Sequence, residues 1–135
     1  MQHLIIDGYT ENKAILQDDQ YIYNLLDRYP SEIGMTRIQG PVVFRYNGLK
    51  PEDWGISGLV FIAESHISIH TFVERQYMNI DVFSCLPFDA DHTISDFKER
   101  FDLLKMRCCT INRDWDIAAL DSEHKIHQLN MAWMR

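Results

Sequence analysis

The stretch Ala63-Glu64-Ser65-His66-Ile67-Ser68-Ile69-His70-Thr71 constrains this chain more than any other. Isoleucine and threonine recur at alternate positions, and branching at Cβ suits a pleated, extended backbone while costing rotamer freedom in a helix. The stretch therefore predicts a strand with Ser65, Ile67, Ile69 and Thr71 on one face and His66, Ser68 and His70 on the other. A nucleophile at Ser65 and a base at His70 then lie on opposite sides and roughly 16 Å apart, at about 3.3 Å per residue. They do not readily serve each other within one chain. The same geometry argues against a metal. His66 and His70, with Glu64 and Glu74 nearby, would suit zinc on a helix, but on a strand the pair is roughly 13 Å apart, too far to share one ion.

Reading outward, the near-continuous apolar run Gly58-Leu59-Val60-Phe61-Ile62-Ala63 predicts a central strand, buried on both faces, that leads straight into the Glu64–Ser65 bond and holds it rigidly. After His70, Val73 to Gln76 is the expected turn, and Met78 to Phe83 pairs back as a hairpin that brings Cys85 near Ser65. Leu4-Ile5-Ile6 reads as a short strand ending in a turn at Asp7-Gly8. A helix is expected from Asp18 or Asp19, with Tyr21, Ile22, Leu25, Leu26 and Tyr29 on one face and Pro30 as its stop. Val42 to Tyr46 is extended, and Asn47 to Gly55 is a loop. Asp89 opens a second helix through Ile94, Phe97, Phe101 and Leu104, followed by a strand over Met106 to Ile111 and a weak helix around Ile126, Leu129 and Trp133. The order β-α-β-β-β-β-α-β predicts an α/β chain of α+β type: a two-layer sandwich with a mainly antiparallel sheet and two helices on one face.

Length and composition bound the partners. A chain of 135 residues, 46% hydrophobic, reads as one domain spanning 1–135, able to bury about two thirds of its unfolded surface. No apolar run approaches the roughly 18 residues that span a bilayer, and Met1 to Asp7 lacks signal-peptide regions, so a cytoplasmic chain without a membrane partner is expected. The net charge of −7 weighs against nucleic acid. Three cysteines, two adjacent at Cys108 and Cys109, form neither an even disulfide set nor a Cys-x-x-Cys pair and are read as reduced.

The Glu64-Ser65-His66-x-x-x-His70 block, followed by Glu74 and by Asp81-Val82-Phe83-Ser84-Cys85, resembles the processing site of the prokaryotic S-adenosylmethionine decarboxylase proenzymes, which are self-cleaving and pyruvoyl-dependent. The likeness runs more weakly from about His3 to about Leu104. It implies that Ser65 attacks the Glu64 carbonyl in an N-to-O acyl shift, that the chain is cut into 1–64 and 65–135, and that Ser65 becomes a pyruvoyl group. A Schiff base between that ketone and the substrate amine would take up the electrons of the breaking Cα–CO2 bond. The resemblance further gives Cys85 the role of proton donor, His70 that of processing proton acceptor, Ser57 that of its support, and Glu74 a hydrogen bond to ribose hydroxyls. It also implies a homodimer with shared active sites, an isologous pair that would supply His70 and Ser57 of one copy to Ser65 and Cys85 of the other.

This chain departs from the family pattern in places. It reads Phe72-Val73-Glu74 where Trp-Pro-Glu is usual and Cys85-Leu86 where Cys-Gly is usual, and six residues before Ser57 it has Pro51 where many members carry an adenine-stacking phenylalanine. Leu49 or Trp54 could replace that platform. The expected reaction is decarboxylation of S-adenosylmethionine to the aminopropyl donor for spermidine. Arginine or ornithine is the alternative substrate, and a non-catalytic paralogue acting as a dimer partner is the second alternative.

Overall fold

The computed structural model describes residues 1–113 and 130–134. Its strands are β1 (Gln2–Tyr9), β2 (Val42–Tyr46), β3 (Gly55–Ile62), β4 (Ser65–Phe72), β5 (Tyr77–Ser84), β6 (Lys105–Asn112) and β7 (Asn130–Met134). Its helices are α1 (Lys13–Leu16), α2 (Asp19–Glu32) and α3 (Ala90–Arg100). The strands form one sheet in the order β2-β3-β4-β5-β1-β6-β7, with every neighbouring pair antiparallel. Among the described residues no helix is long and apolar enough to cross a membrane.

Alternation along the strands builds the core. Leu4 and Ile6 of β1, Val60 of β3, Ile67 and Ile69 of β4, Ile80 and Val82 of β5 and Met106 of β6 are all buried, and they share one face. Ile22, Leu25, Leu26 and Tyr29 of α2 and Ile94 and Phe97 of α3 are buried against it. This is the two-layer arrangement expected from the sequence, an α+β fold with both long helices on one side. Asp18 and Asp89 cap those helices by accepting from the backbone N–H of Tyr21 and His92, each at 2.9 Å.

Several local expectations are corrected. The first strand does not turn at Asp7-Gly8 but continues to Tyr9. It lies between β5 and β6, with Gly8 paired to Met78 and Met106, and Asp7 accepts from Asn79 and Arg107. Pro30 does not stop α2, because its fixed φ is compatible with the helix, which runs on to Glu32; Ile33 caps it, and Gly34 follows with a φ of 76° that suits the left-handed position after the cap. The segment from Asn47 holds a 3-10 turn at Pro51–Asp53. In the tail, Ile126 and Leu129 lie outside the described residues, whereas Trp133 falls in strand β7, paired with β6, and not in a helix. Strand β3 is buried on one face only: Ile56, Val60 and Ile62 point inward, while Phe61 is 44% exposed on the side away from the helices. It also stops one residue before the expected end, which moves the Glu64–Ser65 bond out of the strand.

Candidate active site

Strands β3 and β4 pair up to Ile62 opposite Ser65, so Ala63 and Glu64 form a two-residue hairpin turn. Turns of this length that match strand twist need positive φ at their central residues, hence the usual Asn-Gly or Gly-X. Ala63 and Glu64 have no glycine between them and both keep negative φ; the irregularity passes to Ser65, whose φ is 152°. A non-glycine residue held there stores of order 1–3 kcal/mol and persists only when its surroundings over-determine it. The surroundings do so here. The Ala63 N–H donates to the Thr36 carbonyl at 2.8 Å, and the Glu64 carboxylate accepts from the Thr36 N–H at 3.0 Å. The Glu64 carbonyl accepts from the Cys85 N–H at 2.9 Å. That last bond points a backbone donor at the oxygen that gains charge if the Glu64 carbonyl is attacked.

The unusual φ also breaks the face alternation at its first residue. Ser65 Oγ lies 3.1 Å from Nδ1 of His66, a contact that regular pleating forbids between neighbours. His66 is half-buried, with its ring edge-on to Phe83 at 5.8 Å between centroids. Burial holds the His66 imidazole below its ordinary range, helped by the neighbouring His3 and Arg113 and opposed by Asp81. His3 Nε2 is 2.8 Å from an oxygen of Asp81, and the Arg113 guanidinium lies 4.4 Å from the Phe83 ring centroid.

The other expected processing pair meets near the far end of β4. Ser57 of β3 stands opposite His70, and Ser57 Oγ is 2.9 Å from His70 Nδ1. With Phe44, Leu59, His66 and Ser68 these two line a hollow of about 410 Å3 on the sheet face opposite the helices. Glu74, in the turn after β4, accepts from Lys13 Nζ at 2.8 Å and from Trp54 Nε1 at 3.4 Å, and the lysine bond first of all holds its carboxyl below the usual range. The Arg45 guanidinium lies 5.1 Å from the centre of the Trp54 ring. Pro51 is exposed, and Leu49 is fully exposed beside it.

Thus Glu64, Ser65 and Cys85 come together at one end of β4 and Ser57, His70 and Glu74 gather toward the other, five or more residues along the strand. Cys108 belongs to the core, where burial pushes its thiol up to about 11. Sequence reasoning missed His66 as the partner of Ser65. The signal was the turn itself: a two-residue connection without glycine has to place its irregular torsion on a neighbour.

Residues 2–114 match the family profile described as S-adenosylmethionine decarboxylase. The chain is 32% identical over 112 residues to the S-adenosylmethionine decarboxylase proenzyme of Clostridium botulinum (strain Langeland / NCTC 10281 / Type F), covering 82% of this chain and 91% of that one. With the proenzyme of the same name from Synechococcus sp. (strain WH7803) it shares 33% identity over 95 residues, 70% of this chain and 66% of the relative. The arginine decarboxylase proenzyme of Caldivirga maquilingensis is 32% identical over 93 residues, 66% of this chain and 67% of the relative. The crystal structure of the adenosylmethionine decarboxylase from Aquifex aeolicus shares the fold, with a TM-score of 0.69 at 23% identity over 83% of this chain and 88% of that one. The chain belongs to the S-adenosylmethionine decarboxylase family, a family of decarboxylating enzymes.

Proposed function

We propose that the chain cleaves itself between Glu64 and Ser65, that Ser65 becomes a pyruvoyl group heading the 65–135 fragment, and that the mature protein decarboxylates S-adenosylmethionine to the aminopropyl donor for spermidine. The observation that carries this reading is the hairpin turn, where a strained serine follows a carbonyl that already accepts a backbone hydrogen bond. The residues present suit the group, since its precursor hydroxyl and the bond to be broken share one clamped turn. The pyruvoyl group would supply an electron sink for the breaking Cα–CO2 bond. The chain's own residues do the rest. Cys85, whose backbone N–H is bonded to the Glu64 carbonyl in the cleavage turn, returns a proton to the product carbon. Ser57 and His70 act in maturation, and Glu74 receives ribose hydroxyls.

The separation of the two clusters supports a homodimer with shared sites. The face that carries the hollow lies away from the helices and exposes Phe44 at 64% and Phe61 at 44%, an apolar surface that a second copy would cover. Trp54 is the replacement for the adenine platform, because its indole N–H is bonded to the proposed ribose ligand Glu74. A second reading, arginine as substrate, is favoured by Pro51 at the platform position and by the likeness to the Caldivirga arginine decarboxylase proenzyme. Measuring CO2 release from S-adenosylmethionine, arginine and ornithine side by side tests both. Turnover of S-adenosylmethionine alone is expected, and turnover of arginine alone moves the assignment to the second reading.

A further inference from the structure

We infer that His66 is the general base for the acyl shift at Ser65, acting within its own chain, so that His70 is left for a later step of maturation. This rests on the self-cleavage reading above. The geometry is direct: His66 Nδ1 is the imidazole nitrogen in hydrogen-bond contact with the Ser65 hydroxyl, at 3.1 Å. His70 of the same chain is five residues further along the strand, roughly 16 Å away at about 3.3 Å per residue. A second copy's His70 would reach Ser65 only after dimerisation and with its Nδ1 already facing Ser57 Oγ, whereas His66 is in contact before any partner arrives. Three features fit His66 to the task. The torsion at Ser65 turns the hydroxyl toward the imidazole instead of across the sheet. The Phe83 ring holds the imidazole edge-on, and burial favours its neutral form, in which Nδ1 offers a lone pair when the ring proton sits on Nε2. On the electrophile, the Cys85 N–H is bonded to the carbonyl oxygen under attack.

The step balances without a co-reactant. As Oγ bonds to the Glu64 carbonyl carbon, the hydroxyl proton passes to His66 Nδ1 and the carbonyl electron pair moves onto the oxygen held by the Cys85 N–H. When the pair returns, the carbon–nitrogen bond breaks and the proton moves from His66 to the leaving nitrogen of residue 65. The products are an ester between Glu64 and Oγ and a free amine, with His66 neutral again.

The test follows cleavage of the full-length chain by intact mass, with hydroxylamine quenches to reveal the ester, in wild type, His66→Ala and His66→Gln. Both variants are expected to slow ester formation by about 10²–10⁴-fold, the usual contribution of a general base. Imidazole added to His66→Ala should restore part of the rate, a recovery that a purely structural histidine does not give. If the alanine variant fails to fold, the glutamine variant, similar in size but without a basic nitrogen, decides the matter by its rate. Wild-type rates in either folded variant, or a folded His66→Ala that imidazole leaves silent, overturn the assignment of His66 alone. A wild-type chain that never cleaves overturns both the self-cleavage reading and this one.

Discussion

The two ends of strand β4 are built differently, although they share one sheet and one pattern of residues. At the Ser65 end the backbone is irregular, half-buried and clamped from Thr36 and Cys85. At the His70 end the strand is regular and exposed, and its polar groups meet by ordinary cross-strand pairing with Ser57. Each end suits a different kind of chemistry. Breaking a backbone amide calls for a strained torsion, a hydroxyl held by a base and a donor on the carbonyl, which only an over-determined turn supplies. Receiving a substrate or a second subunit calls for accessible donors and acceptors on a regular face, which the far end provides.

Substitutions at the two ends separate their roles. The largest effect belongs to Ser65→Ala: without the hydroxyl, no cleavage and no CO2 release are expected, and residual CO2 release from the variant would contradict the role of Ser65. Cys85→Ala comes next. It keeps the backbone N–H that bonds Glu64, so cleavage should proceed near the wild-type rate while turnover falls by about 10²–10⁴-fold, as read by mass spectrometry and CO2 assay on the same sample. A smaller, structural effect is expected from Gly55→Ala near the other end. A Cβ there would lie 1.8 Å from the Thr71 carbonyl oxygen, so strand β3 has to shift, at a cost of about 1–3 kcal/mol in urea unfolding, with the Ser57–His70 contact disturbed before the Ser65 turn. The smallest belongs to Glu74→Gln. Its ion pair with Lys13 is exposed and screened, so stability should hardly change, while KM rises roughly tenfold through loss of a charge-assisted hydrogen bond and cleavage is untouched.

Most of the fold was legible because its signals are local. Alternating apolar residues located β4, β5 and β6, aspartates marked both long helices, and the element order anticipated one layer of helices on an antiparallel sheet. Three misreadings came from treating local signals as absolute. Proline removes one i→i−4 bond without always ending a helix, and Pro30, in the final turn, gives up its bond to Leu26 while α2 runs on to Glu32. Asp7-Gly8 resembles a turn, yet two flanking strands pair with it. A continuous apolar run such as Gly58 to Ala63 does not by itself show burial on both faces, since Phe61 stays exposed where the helices do not cover the sheet. The site was legible as a set of residue types. The expected hairpin put Cys85 near Ser65, whereas Ser57 was joined to His70 only through the family likeness; strand register sets the two opposite each other. The Ser65–His66 contact was not legible, because a rule of strict alternation holds only until a turn without glycine bends it.

The central claim is that the Glu64–Ser65 bond opens and leaves a ketone on the downstream fragment. Intact-mass measurement of freshly purified protein, before and after borohydride reduction, addresses it directly. Two chains divided between residues 64 and 65, the longer gaining the mass of a reduced carbonyl, are the expected result. A single chain of 16.0 kDa that borohydride leaves unchanged contradicts it.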